Sequence, residues 1–322
     1  MATESKTIAG GSRPMLQGTE RVKRFVHFVH VECVVAARER FLYNPAVAIR
    51  EKRLEPLAQR LGRFADTLLG RRWVKRQRVY LVEVGELRIK RIEMADSARA
   101  EAKEIALRQL AGRGIAPALV ARHHADIWVE YVEGARVRAD DVDLPERFAT
   151  LLAALYGTAT TAVPTTGHFG ADAVRADLDL LVRAGVLSRH TSDAVVALLD
   201  GLVPPAVWVG CDHTDLLVKN MLRRENGSLC LFDIESIVTN EAVGTGFAKA
   251  CTRWIGPRRD QFVAALLRQP GLPDFLAYFP FLEIRFLASW SKRSLLLRKP
   301  KLVRSAPFDE WIARNGRAAT AS

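Results

Sequence analysis

His213-Thr214-Asp215-Leu216-Leu217-Val218-Lys219-Asn220, followed by Phe232-Asp233-Ile234-Glu235, carries more information than any other stretch of the 322-residue chain. Asp215 precedes Asn220 by 5 positions and Asn220 precedes Asp233 by 13. An aspartate at the exit of a strand can accept a hydroxyl proton. An asparagine on the same loop and a second aspartate across a hairpin can grip a divalent cation between them. Such an oxygen pair suits Mg²⁺, which takes a few protein oxygens and completes its shell with phosphate oxygens and water. A lone His-x-Asp is ordinarily a structural loop; the joint spacing singles this stretch out.

The segments around it set the layout. VWVG (207–210) reads as a strand leading into the loop, and MLRRE, an Asn226-Gly227 turn and SLCLFDI as a hairpin behind it. Upstream, RVYLVEV (78–84) and LRIKRI (87–92) alternate about a Gly85-Glu86 turn, which predicts a second hairpin. Residues 97–111 are rich in Ala, Glu, Leu and Arg and stop at Gly112 and Gly114, a helix with its terminator. IAPALVA and DIWVEYVEG predict two more short strands. Helices are expected over 145–157, 171–185 and 190–203, and again from about Gly246 with Pro and Gly breaks. A small β-rich unit therefore precedes a larger helical one.

In these motifs the chain resembles the protein-kinase-like phosphotransferases, most closely the aminoglycoside phosphotransferase and choline kinase group. HTDLLVKN is similar to that superfamily's H-x-D-x-x-x-x-N catalytic loop, and both spacings agree with the kinase signature set. The resemblance implies a bilobal α+β fold: a β-rich N-lobe and hinge over 71–134 and a helical C-lobe over 135–322. It further implies that Asp215 orients or deprotonates the acceptor hydroxyl, that His213 supports the loop, and that Asn220 and Asp233 ligate Mg²⁺. Lys90 in LRIKRI falls where the family's strand lysine holds the nucleotide phosphates. Its partner is expected on the following helix, at Glu101 or Glu104, with Glu104 preferred for its distance to GRGIAP. EYVEG (130–134) looks like the hinge, where the backbone of Glu130 and Val132 would meet adenine. ATP and Mg²⁺ are thus the implied cofactors.

The resemblance spans roughly residues 74–255, and the chain departs from the pattern within it. No glycine-rich loop precedes the hairpin; RRWVKRQRVYLVEV offers Lys75, Arg76 and Arg78 instead, side chains able to neutralise phosphate but not a bare backbone able to approach it. Thr214 and Leu217 replace the Gly and His common in the family loop, and NEAVGTGFAKAC lacks the usual downstream aspartate. No APE-like motif follows Asp233, which argues against an ordinary protein kinase. A catalytically weak pseudokinase serving as a binding module is the competing expectation, and a kinase-fold protein acting on RNA or ribonucleoprotein ranks behind it.

Outside the resemblance, residues 1–18 are expected to be a disordered leader and 19–70 a basic helical extension. Leu54, Leu57, Leu61, Phe64 and Leu68 form one stripe, with Arg53, Arg60 and Arg63 off it. No stretch reads as a signal peptide or a membrane span, because the apolar run at 25–37 contains two histidines and a glutamate and is too short. A cytoplasmic protein is expected, with peripheral contact with an acidic membrane surface left open. Cys33, Cys211, Cys230 and Cys251 show no paired spacing and read as reduced thiols. The net charge of +12, with a basic cluster over 285–304, points to anionic partners. The expected acceptor is therefore an anionic hydroxyl compound, sugar or lipid-linked sugar; nucleic acid is less favoured, since no binding motif for it is present.

Overall fold

The computed structural model describes residues 49–53, 78–84, 87–159, 161–297 and 305–319. The alternating, β-branched 78–92 stretch forms two antiparallel strands, β2 (Arg78–Val84) and β3 (Leu87–Glu93), in a register that sets Lys90 opposite Leu81. They are preceded by β1 (Ile49–Arg53), paired with β2. Ile49–Arg53 was expected inside the helical extension; edge pairing accommodates its charged sequence, IREKR, because an edge strand tolerates and often uses charge. The apolar stripe at 54–68 and the basic residues Lys75 and Arg76 lie outside the described residues. Helix α1 (Ser97–Gln109) starts at Asp96, whose carboxylate accepts the Arg99 N–H at 2.8 Å, and ends before Gly112 and Gly114, both at positive φ. Strands β4 (Leu119–His123) and β5 (Asp126–Glu130) complete a sheet of order β1-β2-β3-β5-β4, with Ile92, Ile127 and Val129 wholly buried.

Beyond β5, residues 131–134 cross to β6 (Ala135–Arg136), and the helical part begins with α2 (Leu144–Tyr156). Next come β7 (Thr161–Pro164), α3 (Ala171–Arg183), α4 (Arg189–Leu202) and β8 (Ala206–His213). The hairpin strands β9 (Met221–Arg223) and β10 (Leu229–Leu231) follow, then β11 (Ile237–Ala242) and α5 (Thr245–Ala250), which runs on through a π-turn to Ile255. Helices α6 (Arg259–Leu267), α7 (Phe279–Leu296) and α8 (Ala306–Ala319) close the chain. Two small sheets, β10-β9-β6 and β11-β8-β7, sit among these helices. The fold is α+β, a β-rich unit followed by a mainly helical one.

Two features fix the centre. Tilted and edge-on ring contacts join α2, α5, α6 and α7: Phe148 to Trp254 at 5.4 Å, Phe148 to Phe262 at 5.5 Å and Phe247 to Phe279 at 4.9 Å between centroids. At the crossing from β5, Gly134 lies so close to β9 that a Cβ there would stand 2.6 Å from the Arg223 carbonyl oxygen. The glycine is what lets the link pair with the hairpin that carries Asn220.

Candidate active site

Strand β8 delivers the loop. Its last residue, His213, pairs in register with Ile237 of β11, and the Thr214 N–H donates to the Ser236 carbonyl at 2.8 Å. The pairing brings the residues just after Asp233 alongside the loop. His213 is wholly buried, with Nε2 3.0 Å from the Asp233 carbonyl oxygen. A carbonyl can only accept, so Nε2 carries the hydrogen. Burial holds the imidazole pKa down despite the nearby Asp233, so the ring is neutral.

Asn220 Nδ2 donates to the Asp215 carbonyl at 2.7 Å and to Asp215 Oδ2 at 2.9 Å. The other carboxylate oxygen, Oδ1, accepts from Lys249 Nζ at 2.5 Å, and Lys249 also donates to the Thr214 carbonyl at 3.0 Å. Burial raises the Asp215 pKa, but the bonds from Lys249 and Asn220 and the charges of Lys249 and Lys219 outweigh it and hold the pKa below the usual carboxylate range. Asp215 is therefore an anion with a fixed orientation.

The second aspartate reaches this loop through backbone. The Phe232 N–H donates to the Asn220 carbonyl at 3.2 Å, and Asp233 Oδ2 accepts from the Ser236 hydroxyl at 3.2 Å. Lys90 crosses from β3 and donates to the Phe232 carbonyl at 3.1 Å, its ammonium 5.9 Å from the Phe232 ring centroid. Lys90, Asn220, Phe232-Asp233 and Asp215 are thereby one constellation. No group of three or more His, Cys, Asp or Glu side chains suited to a metal occurs among the described residues. With Nδ2 of Asn220 anchored on Asp215, its Oδ1 is the atom left to accept a hydrogen bond or ligate a cation. An amide oxygen and the Asp233 carboxylate are the kind of oxygen ligands that suit a Mg²⁺ ion completed by phosphate and water.

Glu104 does not take the place expected beside Lys90. Its Oε2 is bonded by Arg122 of β4 and its Oε1 by Arg108 at 2.6 Å. The reason is helical phase. Lys103 stands one position, about 100°, round the axis from Glu104, which lies beside Ala100 and Leu107 and turns to Arg122 of β4. Lys103 is the residue aimed at the Asp233 region: it donates to the Ile237 carbonyl and feels the charges of Glu235 and Asp233, while burial lowers its pKa. Glu101 is exposed.

At the end of β5 the Glu130 N–H donates to the Ala118 carbonyl at 2.9 Å, and its side chain bonds the Ala118 N–H and Arg224. Any backbone contact from Glu130 to a base thus falls to its carbonyl, whereas Val132 lies in the irregular stretch 131–134. Within the basic C-terminal cluster, Lys292 is paired with Asp177 and Arg285 with Glu241, while Arg298 and Lys299 lie outside the described residues.

Sequence reasoning missed Asp212. It is wholly buried, its Oδ1 accepting from the His213 N–H at 2.6 Å and the Tyr156 hydroxyl at 3.3 Å, its Oδ2 from the Gly246 N–H at 2.8 Å. It ties the 213–220 loop to the start of α5. Gly246 is required by that contact, because a Cβ there would stand 2.5 Å from both Asp212 Oδ1 and the His213 carbonyl oxygen. Trp254, further along, donates Nε1 to the Leu216 carbonyl at 2.9 Å and pins the loop from beneath. The available signal was a charged residue inside the otherwise apolar VWVGCDH. Cys211, Cys230 and Cys251 are free and buried; Cys33 lies outside the described residues.

Neither a protein-family model nor a curated protein sequence matches the chain. Solved structures do. An ethanolamine kinase from Plasmodium vivax superposes with a TM-score of 0.53 at 14% identity, over 98% of this chain and 96% of that one. The fold is that of the protein-kinase-like phosphotransferases. The aminoglycoside phosphotransferase APH(4)-Ia is similar at a TM-score of 0.52 and 15% identity, over 88% of this chain and 99% of that one. The choline kinase LicA of Streptococcus pneumoniae is similar at 0.51 and 13%, over 83% and 100%. Among the described residues, no helix is long and apolar enough to cross a membrane.

Proposed function

We propose that this protein is a phosphotransferase that uses ATP and Mg²⁺ to move the γ-phosphoryl group onto a hydroxyl of a small molecule, sugar or lipid-linked sugar. The observation that carries the proposal is the convergence of Lys90, Asn220 and Asp233 on Phe232, with Asp215 beside them. Lys90 would hold nucleotide phosphates, and the Glu130 carbonyl and Val132 backbone would meet the base. Asn220 Oδ1 and the Asp233 carboxylate would hold Mg²⁺, which neutralises phosphate charge when bound. Asp215 would accept the acceptor's O–H and aim its oxygen at the γ-phosphorus. A new P–O bond forms to the acceptor, the bond to the β-phosphate oxygen breaks, ADP departs with that electron pair, and the hydroxyl proton leaves through Asp215. Most of the rate acceleration would come from position and charge neutralisation, since the transferred group needs little covalent help.

The second reading, a binding module, is favoured by one observation: Lys249 already occupies Asp215 Oδ1. Incubation of purified protein with γ-labelled ATP and a panel of hydroxyl acceptors separates the two. The phosphotransferase reading predicts label transfer to an acceptor in wild type, strongly reduced in Asp215→Asn. Mg-ATP binding with neither transfer nor hydrolysis would support the binding module instead.

A further inference from the structure

Resting on the phosphotransferase reading, we propose that Lys249 selects the acceptor, and that the acceptor carries a carboxylate or phosphate next to the hydroxyl that is phosphorylated. The ammonium is held rather than free to swing. Its helix is fixed at one end by Asp212 on the Gly246 N–H and beyond it by Trp254 on the Leu216 carbonyl, and Lys249 bridges Thr214 and Asp215 between them. Only 18% of its side chain is exposed, and that of Asp215 only 28%. A cationic acceptor would meet an ammonium already seated on the carboxylate. An anionic one would take the ammonium's third N–H from where it stands, beside the Asp215 carboxylate.

Two further features agree. Arg253 lies 4 residues beyond Lys249 on the same helical segment, is exposed, and stacks over the Trp290 ring at 5.1 Å. Its guanidinium has no hydrogen-bond partner among the described residues, which leaves a planar fork suited to a carboxylate or phosphate. Three buried or half-buried carboxylates of the helical part are engaged by cations of their own: Glu241 by Arg285, Asp177 by Lys292, Glu283 by Arg259 and Arg314.

The test is binding of three sugars of one stereochemistry, galacturonate, galactose and galactosamine, to the Mg-ADP-loaded full chain, read by ligand-observed NMR titration. Galacturonate should bind at least about tenfold more tightly than galactosamine in wild type. The preference should shrink below about twofold in Lys249→Met and survive in Lys249→Arg, which also controls for misfolding. A flat series, including no binding of any of the three, or a preference unchanged in Lys249→Met, overturns the proposal. Mg-ATP binding is measured on the same preparation before ADP is added: its absence sinks the phosphotransferase reading and this inference together, whereas Mg-ATP binding with a flat sugar series sinks this inference alone.

Discussion

Asp215 meets a cation through one oxygen and an amide through the other, and both contacts stabilise its charged form. On the phosphotransferase reading, this carboxylate, fixed in direction, is the group that the acceptor hydroxyl would meet. Asp215→Asn should therefore lower turnover by about 10²–10⁴-fold, the range for a positioned acid–base group, while the Kd for Mg-ATP stays within about twofold. Steady-state kinetics beside calorimetric titration check the split. Asp212 shows the opposite electrostatics. Burial outweighs its three hydrogen bonds and pushes its pKa up to about 7. Below about pH 4 the folded and unfolded chains both hold that proton. As pH rises toward 7 the unfolded chain ionises first, so this residue's contribution to stability declines by up to about 1.4 kcal/mol per pH unit and then levels off. Asp212→Asn cannot titrate. Denaturant unfolding at pH 5, 6 and 7 should show the stability of wild type minus that of the variant falling with pH; a constant difference would contradict the assignment.

Helix α1 shows how much an element depends on phase. Its existence, its Asp96 start and its Gly112 stop are all readable from residue types. Which side chain faces the site is not, because Lys103 and Glu104 differ by one position and therefore by 100° around the axis. Glu104 belongs to an ion pair with Arg122, so Glu104→Ala should leave Mg-ATP affinity within about twofold and cost no more than about 1 kcal/mol in stability. Nucleotide titration checks it; a tenfold loss of affinity would return Glu104 to the nucleotide site. The α5 start makes a contrasting prediction. Gly246→Ala must push Asp212 and the His213 carbonyl apart, so it should destabilise the chain by about 1–3 kcal/mol and reduce turnover as well. Thermal unfolding together with kinetics reads both, and a fully stable, fully active variant would show that the loop can shift freely.

Across the whole molecule, the helices expected at 145–157, 171–185 and 190–203 lie at Leu144–Tyr156, Ala171–Arg183 and Arg189–Leu202, because apolar residues at three- and four-residue spacing mark them. The two-unit α+β layout and the spacing of Asp215, Asn220 and Asp233 were equally readable. Strands β1, β7 and β11 were not: IREKR is charged, TAVP is four residues long, and IVTNEA is interrupted by a register shift, so none shows a strand's alternation. Asp212 and Lys249 escaped for a different reason. Each acts on the loop across the fold, through partners 34 residues away in sequence, a distance that no local pattern encodes. The central claim is that these pieces assemble a metal-dependent nucleotide site. Thermal unfolding with ATP, with and without Mg²⁺, tests it most directly. Stabilisation should require both, reach about 2.7 kcal/mol at 100 times the Kd, and be lost in Asp233→Asn. No shift at millimolar Mg-ATP, or an equal shift without Mg²⁺ and in the variant, would contradict it.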